Sequence, residues 1–361
     1  MNRDHLCTRP PPRRAFARTL VANLYTCAGL LCAASGAFGA SSPLTETLSQ
    51  KHPGDVGIGS DPAVVWYEPF SLGSVEAVGA RYDSVQNPVR MALVPDHPPT
   101  SPGTHSMQFT AGVVDGVTLL SVSLYKNFGR AGKGVPADVG NGYDELYYRY
   151  YTKYVNTIPH HSGMWFGGYN PTQNFPSPNA GNRPSGDRYF SIALEPLYTV
   201  AGNPMDFYNY WVEMRSFSGS PTQGSFFGNT LLHYPQLTQD IGSWDCYEIH
   251  LKLNPNPEVD TGAVLELWKN DQLVQSFNDS GPVGWLITDN FCANDAQGVP
   301  CVNNRPANPT FVLLNQRYRT SLDLKINFFW PQNYDTSGGA SVLRYDDMVV
   351  ATQRIGCTVK K

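Results

Sequence analysis

The chain has 361 residues and a formal net charge of −4 at pH 7, and 12% of its residues are aromatic. An acidic surface repels nucleic acid and anionic membranes, so neither is expected as a partner, and an acidic polymer could bind only in a locally basic cleft. Helical periodicity is scarce, and short alternating runs between turn residues predict an all-β sandwich or barrel.

Residues 1–39 have the layout of an export signal. A basic stretch with Arg13, Arg14 and Arg18 precedes a mostly apolar run that ends in small residues near Gly39. The pattern RRAFAR resembles the twin-arginine signal, and the apolar run is too interrupted for a good membrane span. We therefore expect a secreted or periplasmic protein. Its mature part has 21 Lys and Arg, five fewer than the whole chain, against 29 Asp and Glu.

The mature chain is predicted to have a short lead-in and one domain. Residues 40–62 contain many Ser, Pro and Gly and are expected to form a flexible arm. Residues 63–361 show no internal repeat and no long linker, which indicates a single domain, expected to be a monomer. The predicted strands, in chain order, are 117–125, 145–155, 187–196, 206–216, 245–254, 263–271, 272–278, 321–330 and 343–352.

The segment DELYYRYYTKY, residues 144–154, contains five tyrosines and two cations. Alternate side chains of a strand point to opposite faces. One face therefore carries Tyr147, Arg149, Tyr151 and Lys153, and the other carries Tyr148, Tyr150, Thr152 and Tyr154. Neither face resembles an aliphatic core, so one of them is a candidate working surface. The structural alternative is a tyrosine-rich strand whose cations pair with exposed carboxylates.

Two other predicted strands alternate clearly. In residues 247–254, Ile249, Leu251 and Leu253 form an apolar face opposite Glu248, His250 and Lys252. In residues 322–330, the apolar face is Leu322, Leu324, Ile326, Phe328 and Trp330, opposite Asp323, Lys325 and Asn327. Each strand therefore buries one side and presents a polar one. Residues 270–273, NDQL, are predicted to form the tight turn of a hairpin.

Four cysteines remain after the export signal, which suggests two disulfides in an exported protein. Cys292 and Cys301 bracket a polar loop and are the preferred pair, so Cys246 and Cys357 would tie an inner strand to the C-terminus. No two cysteines have CxxC spacing, and no cofactor or metal site is predicted. Asp346 with Asp347, or DTSGG at residues 335–339, could supply oxygen ligands to a structural calcium ion, but acids near strand ends more often form solvated turns.

Scattered motifs resemble a known family. They are WDCYEIHLKLNPNPEVDTGAVLELWKNDQLV (244–274), LRYDDMVVATQRIGC (343–357), and ELYYRYYTKY (145–154) followed by GMWFGGYNP (163–171). Together they resemble polysaccharide lyases with a concanavalin A-like jelly roll, of the alginate and glucuronan lyase type, over roughly residues 140–357. The resemblance implies a β-sandwich of two antiparallel sheets and a polysaccharide as partner, and the superfamily also contains glucanases and non-catalytic lectins.

A lyase acting on a uronate must neutralise the carboxylate, remove the C5 proton and protonate the leaving oxygen. Arg, Lys, Asn, Gln or His suit the first task, and Tyr, His or Lys suit the others. The candidate catalytic residues are Arg149, Tyr151, Lys153, His160 and His161. The candidate substrate-binding residues are Tyr147, Trp165, His250, Lys252, Lys325, Gln332, Asn333 and Tyr334. Arg149, Lys153, His250, Lys252 and Lys325 would make the basic cleft that an acidic polysaccharide requires.

Two alternatives to a lyase remain open. A glycoside hydrolase needs two carboxylates flanking the bond, and Glu213 with Glu248 is the best pair, although no E-x-D-x-E motif occurs. A lectin-like protein needs only flat rings on which sugars stack, without an acid or a base. The candidate rings are Trp165, Tyr169, Trp211, Trp244, Trp268, Trp285 and Trp330. Mutation of Tyr151 separates the classes, because a lyase would lose turnover and a lectin would lose affinity.

Overall fold

The computed structural model describes residues 46–159, 161–176, 179–196, 204–214, 226–232, 237–259, 261–278, 285–287, 311–313 and 316–360. The predicted export signal, His160 and the Cys292–Cys301 pair lie outside these ranges. The described helical segments are α1 (Leu48–Lys51), α2 (Val75–Gly79) and the 3₁₀ turns Pro53–Asp55, Ile58–Ser60, Pro88–Arg90 and Ala137–Val139. In the part of the chain that the structure describes, every helix is too short or too polar to cross a bilayer.

Within the described ranges, eighteen strands make up the rest of the regular structure. They are β1 (Val64–Glu68), β2 (Ser84–Gln86), β3 (Met91–Val94), β4 (Ser106–Val114), β5 (Val117–Leu119), β6 (Ser121–Asn127), β7 (Glu145–Tyr154), β8 (Gly163–Tyr169), β9 (Tyr189–Pro196), β10 (Met205–Tyr210), β11 (Asn229–Thr230), β12 (Asp245–Lys252), β13 (Val264–Lys269), β14 (Gln272–Phe277), β15 (Trp285–Ile287), β16 (Phe311–Leu313), β17 (Phe328–Tyr334) and β18 (Ala340–Ala351).

The strands form two large antiparallel sheets that pack face to face. The first sheet has nine strands, in the order β14-β13-β12-β7-β18-β4-β3, with β1 on β18 and β5 on β4. The second sheet has seven strands, in the order β11-β10-β9-β8-β17-β6-β2, and β15 and β16 pair separately. Consecutive strands pair at the edges, but the middle of each sheet (β12-β7-β18-β4 and β8-β17-β6-β2) joins strands distant in sequence, so connections cross between the sheets. The predicted all-β sandwich of two antiparallel sheets is confirmed.

The tyrosines of β7 belong to the core between the sheets. Tyr148, Tyr150 and Tyr154 are at most 2% exposed and pack in the main apolar cluster. Two of these phenols reach across the sandwich: Tyr154 donates to the carbonyl of Ser162 at 2.5 Å, and Tyr148 donates to the carbonyl of Phe328 at 3.4 Å. On the neighbouring strand, Tyr345 donates to the carbonyl of Gly163, 2.8 Å away. Tyrosine fills the space of a phenylalanine and also satisfies backbone groups of the facing sheet, which explains part of the tyrosine enrichment.

The outer face of the first sheet is covered by both terminal segments. Residues 46–62 were expected to be a flexible arm, but α1 and the following 3₁₀ turns pack beside residues 352–360, and Leu48, Ile58 and Ile355 share a small apolar cluster. The amide of Gly54 donates to the carbonyl of Val359 at 2.7 Å. Thr47 and Gln50 form a capping box that starts α1.

Residues 321–330 depart from the predicted continuous strand. Leu324 and Ile326 are buried in the main core, whereas Leu322 is 54% exposed and β17 starts only at Phe328. In β17 the core-facing residue is Phe329, so Phe328 and Trp330 point to the outer face. The alternation therefore changes face at Asn327, whose side chain donates to two backbone carbonyls, those of Asn141 and Tyr169.

The alternation predicted for β12 and the hairpin after β13 are confirmed. Ile249, Leu251 and Leu253 are buried in the core, and β13 pairs with β14 through a turn at Asn270 and Asp271, both with positive φ. Asn and Asp tolerate that region well, which favours a tight turn here.

The second predicted disulfide is present. Cys246 on β12 is bonded to Cys357, and the bridge closes a sequence separation of 111 residues. It ties the C-terminal segment to the outer face of the first sheet. A cross-link between distant residues stabilises mainly by restricting the unfolded chain.

Replacing Cys246 and Cys357 together with alanine should lower the free energy of unfolding by about 2–4 kcal/mol, as loop-entropy estimates suggest. Urea titration of oxidised wild type, reduced wild type and the double variant would measure it. Reduced wild type should be no more stable than the variant, because reduction also opens the predicted Cys292–Cys301 bridge. Equal unfolding midpoints for all three would contradict a stabilising role for the bridge.

Candidate functional site

A pocket of about 330 Å³ opens on the outer face of the second sheet. We call it the aromatic pocket. Its lining residues come from β8, β9, β10, β17 and the loops beside them: His161, Trp165, Tyr169, Asn179, Ala180, Ser191, Tyr208, Tyr210, Phe227, Phe328, Trp330, Gln332 and Tyr334. Four residues predicted from the sequence, His161, Trp165, Gln332 and Tyr334, therefore lie in one pocket. Among the described lining residues, His161 carries the only basic side chain.

His161 is held at the entrance to β8 by a hydrogen-bond network. Its backbone has φ of +63°, a left-handed conformation that is uncommon outside glycine and that persists where the surroundings enforce it. The enforcement comes from the next residue: the hydroxyl of Ser162 donates to Asn333 Oδ1 at 2.9 Å, and Tyr334 N donates to the same hydroxyl at 2.8 Å. Tyr154 binds the carbonyl of Ser162 from the first sheet.

Asn333, a predicted substrate-binding residue, thus has a supporting position instead. It is fully buried, and its amide nitrogen donates to the carbonyls of Phe109 and Ser341 at 3.0 and 3.2 Å. In β17, Asn333 lies on the same face as Phe329 and points into the sandwich. It therefore affects the aromatic pocket through its hydrogen bond with Ser162 and not through direct contact.

His161 is coupled to a buried carboxylate. Its Nδ1 lies 2.8 Å from Oε1 of Glu195, which is 1% exposed. Burial acts to lower the pKa of His161, but the charge and the hydrogen bond of Glu195 oppose it, and the net direction is upward. The other carboxylate oxygen, Oε2, has no hydrogen-bond partner among the described residues. Glu195 therefore orients the ring and increases the basicity of its other nitrogen, Nε2.

Two phenols stand beside the imidazole. The Tyr208 ring meets the His161 ring edge-on, with centroids 5.0 Å apart, and the hydroxyls of Tyr208 and Tyr210 are 3.3 Å apart. Burial, with the neighbouring Tyr210 as a second cause, raises the pKa of Tyr208. Burial likewise raises the pKa of Tyr210. Both phenols remain protonated at neutral pH and can act as proton donors.

Amides and flat rings complete the aromatic pocket. Gln332 donates to Ser121 Oγ at 3.0 Å, and Asn179 donates to Ser191 Oγ at 2.9 Å, so each side chain has a fixed orientation. An amide nitrogen has two N–H groups, and these contacts use one of them. Trp165 and Trp330 lie with ring centroids 5.9 Å apart and provide a surface suited to stacking on sugar rings.

The predicted catalytic residues of β7 lie elsewhere. Arg149 is fully buried on the outer face of the first sheet, where its Nη2 contacts Asp55 Oδ2 at 2.6 Å. The hydroxyl of Tyr151 accepts from Thr358 N at 2.8 Å, and Lys153 pairs with Asp96 at 2.8 Å. These residues face the terminal segments because the other face of β7 is the core, so the expected working surface is a packed interior interface.

The other basic candidates are also paired away from the aromatic pocket. On the first sheet, His250 Nδ1 lies 2.7 Å from Glu266 Oε2, and its Nε2 lies 2.8 Å from Glu145 Oε1. The Tyr147 ring stacks on the imidazole with centroids 4.1 Å apart. Lys252 lies 3.7 Å from Glu145. Lys325 pairs with Asp144 at 2.7 Å in the loop before β17. The basic cleft expected from Arg149, Lys153, His250, Lys252 and Lys325 is therefore not formed.

The carboxylate pair considered for a hydrolase is not assembled either. Glu248 lies on the outer face of the first sheet and accepts from the amides of Ile355 and Gly356, whereas Glu213 follows β10 in the second sheet. Within the described ranges, no group of three His, Cys, Asp or Glu side chains is arranged to hold a metal ion.

Sequence reasoning missed Glu195, Tyr208 and Tyr210. A signal was present in the alternation of two predicted strands. In β9, Ser191, Ala193 and Glu195 share the face opposite Ile192 and Leu194. In β10, Tyr208 and Tyr210 share the face opposite Phe207. What could not be inferred is that β8, β9 and β10 are neighbours, which brings these faces together.

Comparisons with known proteins give structural likeness alone. No protein-family model and no curated protein sequence matches the chain. Similar solved structures include an alginate lyase from Aplysia kurodai (11% identity, TM-score 0.49, covering 80% of this chain and 99% of that chain). Another is an endo-β-1,4-glucuronan lyase from Trichoderma reesei (13%, 0.43, 80% and 96%). A third is an alginate lyase from a Chlorella virus (12%, 0.43, 80% and 100%).

These structures are of the lyase type that the scattered motifs of residues 140–357 resemble. At such identities and TM-scores, the likeness carries no information about catalytic residues.

Proposed function

We propose that the protein cleaves a uronate-containing polysaccharide by β-elimination in the aromatic pocket. The observation that supports this is the contact between His161 and the buried Glu195 carboxylate, beside protonated phenols and a wall of flat rings. Sugar binding alone needs the rings and amides. It does not need a basic imidazole oriented by a buried carboxylate, whereas proton abstraction does.

The residues can be assigned to the three tasks of elimination. The amides of Gln332 and Asn179 hold the uronate carboxylate and reduce its charge. Neutral His161 takes the C5 proton on Nε2, and the electron pair of the C5–H bond forms the C4–C5 double bond. The bond between C4 and the glycosidic oxygen breaks, and the Tyr208 hydroxyl donates its proton to the leaving oxygen. Glu195 positions His161 and stabilises the imidazolium that forms.

The first test is an assay of purified protein with a panel of polymers. Alginate, glucuronan, pectate and glycosaminoglycans would be incubated with it while ultraviolet absorbance of the unsaturated uronate is followed. Only elimination creates this chromophore. We expect a rise with at least one polymer. No rise with any of them would contradict eliminative cleavage.

The aromatic lining also favours a second candidate, a carbohydrate-binding protein without catalysis. Trp165, Trp330 and Tyr169 could stack on sugars with no proton transfer. Silence in the absorbance assay together with measurable binding of the same polymers would support this alternative. Export of the protein and its monomeric state remain proposals that accompany either function.

The His161–Glu195 contact predicts a specific pH dependence. Because the base must be neutral, kcat/KM should rise with pH through the pKa of His161, which lies above its usual 6.5. Glu195→Gln removes the charge that stabilises the imidazolium, so this rise should move to lower pH and kcat should fall. A pH–rate profile of both proteins measures the shift.

A matched control is available on the first sheet. His250 contacts Glu266 in a similar way but lies away from the aromatic pocket. Glu266→Gln should leave the pH profile unchanged. If Glu195→Gln leaves it unchanged as well, His161 is not the titrating base.

A further inference from the structure

A second, more polar pocket adjoins the aromatic pocket. Its volume is about 790 Å³, and Tyr169 and Asn179 line both pockets. Aromatic rings connect the two pockets. The ring centroid of Tyr169 lies 5.2 Å from that of Phe328 and 6.4 Å from that of Tyr189, which borders the polar pocket. The two pockets therefore share part of their wall, and this shared wall is aromatic at Tyr169.

The polar pocket lies at the opposite end of β8 and β9 from His161. In the register of these strands, Met164 pairs with Leu194 near His161, and Tyr169 pairs with Tyr189 at the far end. Five residues of strand separate the two pairs, a distance of about 17 Å at about 3.3 Å per residue. That distance leaves room for several sugar residues of an extended polymer.

Arginines distinguish the polar pocket from the aromatic one. Arg183 is anchored, since its Nε and Nη2 donate to the carbonyl of Val212 at 3.0 and 2.8 Å. Arg188 is exposed and enters no ion pair with the described residues. The nearby Asp187 accepts from the hydroxyl of Ser185, so that carboxylate has a local donor. Asn170 and Asn182 add amide groups to the same wall.

We infer that the polar pocket is a subsite for a second uronate, whose carboxylate pairs with Arg188. This inference rests on the proposed function and deepens it: the substrate must carry a negative charge several residues from the cleaved bond, in addition to the one at that bond. Arg188 is a specificity-determining residue that selects an acidic polymer over a neutral one. It takes no part in proton transfer.

The test is binding of uronate oligosaccharides, and of the same oligosaccharides after carboxyl reduction, to the His161→Ala protein, so that the ligand is not cleaved. Arg188→Gln in this background should weaken binding of the acidic ligand about fivefold, the size expected for an exposed ion pair of about 1 kcal/mol. Binding of the reduced ligand should not change. Arg188→Glu should weaken acidic binding further.

Lys51→Gln is the matched control, because it removes the same charge from α1, an exposed position at the first sheet. It should leave both affinities unchanged. Selective loss with Arg188→Gln supports the subsite even if no elimination is ever observed. An unchanged acidic affinity, or an equal loss for both ligands, overturns the subsite, whereas elimination by wild type would leave the proposed function intact.

Discussion

His161→Ala should lower kcat by about 10²–10⁴-fold, the range over which a positioned general base contributes. The affinity for oligosaccharides should change little, because the rings and amides of the aromatic pocket remain. His161 is suited to this role since Glu195 contacts its Nδ1 at 2.8 Å and shifts its pKa upward despite burial. Initial rates with the polymer found in the absorbance panel, together with calorimetric binding, measure both quantities.

The control for this prediction is His250→Ala. That histidine also contacts a carboxylate, in fact two, but on the first sheet, and its replacement should affect stability and not turnover. If His161→Ala retains wild-type kcat, the base has been assigned wrongly and Tyr334 is the next lining residue to replace. A loss of affinity with no elimination by wild type would instead support the carbohydrate-binding alternative.

Arg149→Met should lower the free energy of unfolding by about 3–5 kcal/mol, because it leaves a buried carboxylate without its partner. The Arg149 side chain and its partner Asp55 are both 0% exposed, and Arg149 also donates to Thr358. The variant therefore disrupts both terminal segments at once. Urea unfolding measures the loss, and kcat of the folded fraction should be unchanged.

Two variants show whether this loss comes from the unpaired charge. Lys153→Met breaks the more exposed pair with Asp96 and should cost about 1 kcal/mol or less. Adding Asp55→Asn to Arg149→Met should restore part of the stability, since the unpaired carboxylate is gone. A large fall in kcat with unchanged stability would contradict this reading and return Arg149 to the catalytic candidates.

Alternation along a strand separated the two faces of β7 and β12 correctly, but it could not tell which environment each face meets. Arg149 contacts a residue 94 positions earlier and another 209 positions later in the chain. The sequence around Arg149 does not predict contacts over such separations. The sequence of a strand face with tyrosines and cations is the same whether that face lines an open groove or is buried. For β7, burial depends on residues 46–62 and 352–360, which cover the face.

The aromatic pocket was only partly predictable, because some of its residues are recognisable by type and others depend on distant contacts. His161, Trp165, Gln332 and Tyr334 have side chains suited to sugar chemistry, and residue type alone singled them out. Glu195 was missed because its partner His161 is 34 positions away, just before the start of the neighbouring strand β8. At Asn327 the reversal of faces arises from side-chain bonds to two carbonyls, which periodicity does not register.

The two terminal segments meet on the face of the sandwich opposite the aromatic pocket, with Gly54 bonded to Val359 and Cys357 fixed to β12. A tag, a fusion partner or a solid support attached near residue 360 would therefore leave the pocket open to a long polymer. Immobilised protein should present its binding face outward in a uniform orientation.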